Sequence, residues 1–199
     1  MSFKFTKELL NNSLNYTSYR NLIDTLLAEG KTTGNNQDAS MIEYTKLNVQ
    51  RMNRIDKTTV IVEEFKGLIK NKQRWVLISE GWCGDAANTV PAIAKMCTFA
   101  EMVDLHILLR DDNPEVMDEY LTNGARSVPM LIVLDEKYNE LFVWGPRPSE
   151  LQKEVLEFKK RKNFEIEELK KNVQMWYLND KTNSTQKEII ELLTKQVNI

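Results

Sequence analysis

Cysteine and histidine are scarce in this chain of 199 residues, which has two cysteines, Cys83 and Cys97, and one histidine, His106. Two thiols make no disulfide framework for a chain of this length, and they fall short of the roughly four ligands of a structural zinc ion. No metal and no other cofactor is therefore expected, and a Cys–His catalytic pair has a single candidate base. Charge of one sign is also missing. Lys and Arg total 27 against 29 Asp and Glu, a net charge of −2, so electrostatics argue for neither a nucleic-acid nor a membrane partner. No apolar run approaches the roughly 20 residues of a spanning helix. The segment from Met1 to Glu8 lacks the basic-then-apolar order of a secretory signal. The expectation is a cytoplasmic globular protein: one generous domain, or a standard core with extensions. Neither internal repeats nor low-complexity segments occur.

Apolar periodicity changes twice along the chain. Tyr19, Leu22, Ile23, Leu26 and Leu27 keep helical spacing up to Gly30, and a turn-rich loop spans 31–37. Met41, Tyr44, Leu47 and Met52 predict a second helix. A third is expected from about Thr58 to Leu68, where Phe65, Leu68 and Ile69 outweigh a β-branched start. Between Arg74 and Trp144 short apolar runs replace this pattern. Strands are predicted at Trp75–Ser79, Leu105–Leu109, Met130–Leu134 and Glu140–Trp144, with helices at Asp85–Cys97 and Pro114–Tyr120. Helical spacing then returns from Leu151 to Trp176, predicting one long helix bent near Asn163 and capped by Ser149 with Gln152. A last helix through Ile189, Ile190 and Leu193 is expected, capped by Thr185 with Glu188. The run Lys159–Lys162 sits among glutamates and reads as a solvated helix side.

Chemistry concentrates where the first strand meets its helix, at Glu80-Gly81-Trp82-Cys83-Gly84-Asp85-Ala86. A cysteine at a helix N-terminus faces unpaired N–H groups and the positive end of the dipole, which favour thiolate. Thiolate is the form that attacks disulfides, peroxides and electrophiles. An exposed thiol with a pKa modestly below the free value is expected. Asp85 either opposes ionisation by like-charge repulsion or accepts the proton; Glu80 could take either part. Pro91 lies inside the same helix, where it removes a backbone hydrogen bond.

These residues resemble the thioredoxin family. Trp82-Cys83-Gly84 matches the start of the Trp-Cys-Gly-Pro-Cys motif, and Pro91 is the helix proline eight residues after the first cysteine. Asp111-Asp112-Asn113-Pro114 resembles the Asp-x-Asn-Pro segment leading into the next helix. Gly124-Ala125-Arg126-Ser127-Val128-Pro129 resembles the Gly-x-Arg-x-x-Pro run, whose proline is cis and faces the cysteine. Gly145 corresponds to the glycine that completes the substrate groove. The resemblance implies an α/β thioredoxin-like three-layer fold with a central mixed β-sheet over residues 58–160. Helical extensions occupy 1–57 and 161–199, the second packed on or near the same domain.

The departures bear on activity. Ala86 stands where the second active-site cysteine belongs, and Asp85 replaces the proline before it. Leu77 and Ile107 occupy the places of the buried aspartate and its lysine. Dithiol turnover within one chain is thus unsupported. Cys97 does not substitute, since it lies roughly 20 Å along the helix at about 1.5 Å per residue, whereas a disulfide needs Cα atoms within about 7 Å. Cys97 reads as a small buried hydrophobe, and His106 as a core or sheet-face residue.

Two functions remain open. In one, Cys83 is the single reactive thiol of a thiol–disulfide oxidoreductase in cell redox homeostasis, acting on a protein disulfide or a small thiol or peroxide and resolved by an external thiol. The resemblance then implies a groove of Trp82, Val128, Pro129, Trp144 and Gly145, with Arg126 and Arg147 at the cysteine's rim, where either arginine could steady a thiolate or a carboxylate. In the other, the groove beside Trp82 and Pro129 is a binding module without chemistry. Cluster binding across a dimer is a weaker third, since the Cys-Gly-Phe-Ser sequence is missing.

Overall fold

Strand β1 (Gln73–Ser79) is the centre of the molecule because it is apolar on both faces. Trp75, Val76, Leu77 and Ile78 are all fully buried, as a strand covered on two sides must be. The computed structural model describes residues 3–197. In it β1 pairs in parallel with β2 (Val103–Leu109) and antiparallel with β3 (Met130–Asp135), which in turn pairs antiparallel with β4 (Glu140–Trp144). The order is β2-β1-β3-β4. Helices pack on both sides of this mixed sheet, giving the expected thioredoxin-like arrangement. Among the described residues no helix is long and apolar enough to cross a membrane.

Three helices precede the sheet: α1 (Lys7–Asn11), α2 (Tyr16–Ala28) and α3 (Ala39–Thr58). Between β1 and β2 runs α4 (Gly84–Phe99), and α5 (Pro114–Met117) follows β2. Three more close the chain: α6 (Ser149–Lys159), α7 (Ile166–Asp180) and α8 (Asn183–Val197). The main core joins β1, α4 and β3 to Tyr19, Ile23 and Met52 from the first helices and to Ile189 and Leu193 from the last. At the edge of β2, Leu14 exchanges backbone hydrogen bonds of 2.9 and 2.7 Å with Ile107. His106 is structural there, its Nδ1 2.8 Å from Ser13 Oγ. Burial lowers its pKa.

Three expectations need correction. Residues 59–62 are extended, and only the single turn Glu63–Phe65 is helical. The β-branched run Val60-Ile61-Val62 favours extended backbone, and Gln186 of α8 pairs with it as a neighbouring strand would. Its amide donates to the Val60 carbonyl, and its oxygen accepts from the Val62 N–H, each at 3.1 Å. The long C-terminal helix is two helices folded into a hairpin. Leu151, Val155 and Phe158 of α6 bury against Leu169, Val173 and Tyr177 of α7. The two caps also differ. The side chain of Glu188, within α8, accepts from Ser149 N and Oγ and from Trp144 Nε1, while the Asp180 carboxylate takes the Ser184 N–H at 3.1 Å.

The turn after β1 is held by the N-terminal segment. Thr33 Oγ1 accepts from the Gly81 N–H at 2.8 Å, and Asn48 Nδ2, fully buried, donates to the Gly81 carbonyl at 2.9 Å. Tyr19 Oη lies 3.0 Å from Ser79 Oγ, two residues earlier in the chain. Asn48→Ala leaves that carbonyl buried and unpaired, at a cost of about 1–3 kcal/mol. Thermal unfolding of the variant is expected to show a midpoint lower by several degrees, at roughly 2–4 °C per kcal/mol for a chain of this size. Lys46→Ala, which removes an exposed i,i+3 ion pair, is expected to change it little.

Candidate functional site

Cys83 is the N-cap of α4, with extended backbone (φ −82°, ψ 120°). Its sulfur accepts from the Ala86 N–H at 3.4 Å, as a capping serine oxygen would, and its S–H donates to the Val128 carbonyl at 3.1 Å. Val128–Pro129 is cis, as is Gly145–Pro146. Gly145 has φ +133°, and a Cβ there would lie 2.5 Å from the Pro129 carbonyl oxygen. No side chain fits so close an approach, so glycine is required where β4 ends against the loop that faces the thiol.

The residues named from sequence divide into those brought together and those kept apart. Cys83, Val128, Pro129 and Gly145 converge. Arg147 reaches across to Asp85 Oδ2, and the other carboxylate oxygen, Oδ1, accepts from Tyr177 Oη at 2.8 Å. Arg126 turns away: it forms a bidentate, half-exposed pair with Asp118 at 2.6 Å. Trp144 is buried with its indole N–H on Glu188, which leaves it little exposed face. Trp82 is half-buried, with the Arg110 guanidinium 4.5 Å over its ring. Cys97 is a buried free thiol, pushed up by burial.

Three contributors escaped the sequence reading as site residues: Tyr44 of α3, and Gln174 and Tyr177 of α7. A Cβ added at Gly84 would lie 2.6 Å from Tyr44 Oη and 3.0 Å from Gln174 Nε2. Both side chains therefore rest directly on the residue after the cysteine. Asn88 Nδ2, one turn along α4, donates to Gln174 Oε1 at 2.8 Å. The signal available in sequence was the glycine at 84 itself, but what presses on it is more than 80 residues away on one side.

These covers overturn the expected state of the thiol. Cys83 is only 8% exposed, and burial, aided by the Asp85 charge, pushes its pKa up to about 12. The Ala86 and Asp85 N–H groups and Arg147 act in the opposite direction and lose. At neutral pH the resting thiol is protonated and donates to Val128. Glu80 is fully buried and raised by desolvation, with Oε1 accepting from the Asp111 N–H at 3.0 Å and Oε2 unpartnered. Among the described residues no three His, Cys, Asp or Glu side chains gather as ligands for a metal ion.

From this geometry, iodoacetamide should alkylate folded Cys83 at pH 7 at least about 100-fold more slowly than a free thiol, whose pKa is about 8.5. The rate should climb about tenfold per pH unit past pH 9, because thiolate accumulates only towards the raised pKa. Asp85→Asn should move that profile to lower pH and Arg147→Ala to higher pH, while Arg126→Ala should leave it in place.

Comparison with known proteins accords with this architecture. A family model described as thioredoxin matches residues 34–165. No curated protein sequence matches the chain. Among solved structures, the chain is similar to an HIV epitope-scaffold, with a TM-score of 0.57 at 15% identity over 98% of this chain and 99% of that one. It is also similar to a protein of unknown function, PA1234 from Pseudomonas aeruginosa, with a TM-score of 0.54 at 12% identity over 92% and 98% of the two chains. At such identities the likeness is one of fold alone. The family match, covering well over half of the residues and including the cysteine turn, the cis-proline loop and β4, establishes that this chain belongs to the thioredoxin family.

Proposed function

We propose that this chain is a single-thiol thiol–disulfide exchange protein, with Cys83 as the nucleophile and an external thiol as the resolving group. The observation that carries this reading is the position of the Cys83 sulfur, capping α4 on one side and 3.1 Å from the carbonyl before the cis proline on the other. A thiolate formed there is favoured by the α4 N–H groups. A substrate strand laid beside Val128 and Pro129 would bring a disulfide within reach of it.

Exchange runs in two balanced steps. Cys83 first loses its proton to solvent, and the thiolate attacks one sulfur of the substrate disulfide. A Cys83–substrate disulfide forms and the other substrate sulfur leaves as thiolate. An external thiolate then attacks the substrate sulfur of the mixed disulfide, which returns Cys83 to thiolate and makes a disulfide between external thiol and substrate. The number of disulfides is unchanged: the external sulfur rises to the disulfide level as the leaving substrate sulfur becomes thiolate, Cys83 is regenerated, and no second cysteine in the chain is used. Asp85 tunes the first step: its charge opposes ionisation of Cys83, and Arg147 offsets it.

The burial of Cys83 favours a second reading, the groove as a binding module without chemistry. The two differ in a covalent product. Incubation with glutathione disulfide under mildly opening conditions, such as low denaturant, is expected to yield a mass increase of one glutathionyl group on Cys83 of the Cys97→Ser variant, reversed by excess thiol. Absence of the adduct, with Cys83 otherwise alkylable under the same conditions, would leave the binding module as the account. In an insulin-reduction assay supplied only by a thioredoxin reductase, no turnover is expected.

A further inference from the structure

The α6–α7 hairpin rests on the residues that follow Cys83, through Gln174 at Gly84 and Tyr177 at Asp85, and its manner of attachment distinguishes it from the rest of the molecule. Its apolar side chains form a cluster of their own, Leu151, Val155 and Phe158 against Leu169 and Tyr177, separate from the main core. The next helix, α8, returns to the main core through Ile189 and Leu193. What ties the hairpin down over the site is polar: Tyr177 Oη on Asp85, Gln174 on Asn88, Arg147 on Asp85 and Ser149 on Glu188. At its far end the chain passes into α8 through Lys181 and Thr182, both left-handed (φ 53° and 70°). At its near end it leaves β4 through Gly145.

We propose that the α6–α7 hairpin is an intramolecular cover, latched by Tyr177 on Asp85 and Gln174 on Asn88, and that it swings as a unit to expose Cys83. This inference rests on the reading of Cys83 as the working thiol and gives the regulation of that same site. Moving as a unit keeps the hairpin's own apolar cluster intact, so opening breaks hydrogen bonds that water can replace and exposes little apolar surface. The covered state keeps the thiol protonated and out of contact with disulfides in bulk solvent. Reaction then requires opening, and the fraction of open molecules scales the observed rate.

Two variants open the cover by different routes. Tyr177→Phe keeps the ring and deletes the hydrogen bond to Asp85. Gly84→Ala puts a methyl group where Tyr44 and Gln174 now rest, while strengthening α4 itself. In the Cys97→Ser background, each is expected to raise the rate of Cys83 alkylation at a fixed pH near 8 by on the order of tenfold, the shift expected for losing one hydrogen bond to a carboxylate. Hydrogen exchange should quicken in α6 and α7 and stay unchanged in β1, which separates hinged opening from general loosening. Unchanged alkylation in both variants overturns the cover, as does exchange that quickens equally in β1. Faster alkylation without any glutathionyl adduct on the opened variants leaves the cover standing and removes the exchange reading.

Discussion

A helix N-terminus favours an anion and burial disfavours one, and at Cys83 both act on a single sulfur atom. Exposed dipole effects are worth about 0.3–1 kcal/mol, whereas full desolvation of an ionisable group shifts its pKa by several units at about 1.4 kcal/mol each. Burial prevails here, and the surrounding contacts follow from that. A protonated thiol needs an acceptor, which the Val128 carbonyl supplies. Glycine after the cysteine leaves the room in which Tyr44 and Gln174 close over that position.

The carboxylate beside the thiol meets a related demand. Asp85 is nearly buried, and a buried carboxylate is tolerated only when paired and hydrogen-bonded. Arg147 from the loop after β4 and Tyr177 from α7 take one oxygen each. Two distant parts of the chain are thereby drawn to the start of α4. A proline at that position would contribute no such anchor, so Asp85 gives the C-terminal hairpin a polar foothold beside the cysteine.

Much of the fold could be read from residue order. The bounds of β4 were predicted residue for residue, because alternation between two turns leaves little freedom. The Cys83 turn and the Gly124–Pro129 run were legible because tight backbone geometry admits few residues. The covering of the site was not. Leu151 to Trp176 has the same spacing whether it forms one long helix or two folded together, since periodicity records a face and not what the face meets. Val60 to Val62 carried a β-branched signal for extended backbone, but the spacing of Phe65, Leu68 and Ile69 outweighed it, and the partner that settles it, Gln186, is remote in sequence. The state of Cys83 was misjudged for the same reason: its motif describes the turn, while its pKa depends on side chains contributed by α3 and α7.

Gln186 has a further consequence, for the order in which the chain can fold. It bonds to Val60 and Val62 across 126 and 124 residues, and Ile189 and Leu193 fill the same core as β1. Loop closure over such separations slows folding. During synthesis the sheet strands emerge in sequence, but the segment leading into β1 keeps unpaired backbone groups until α8 has left the ribosome. The native core therefore closes only once α8 is available to it. Until then, the apolar surface that Ile189 and Leu193 cover stays open to water.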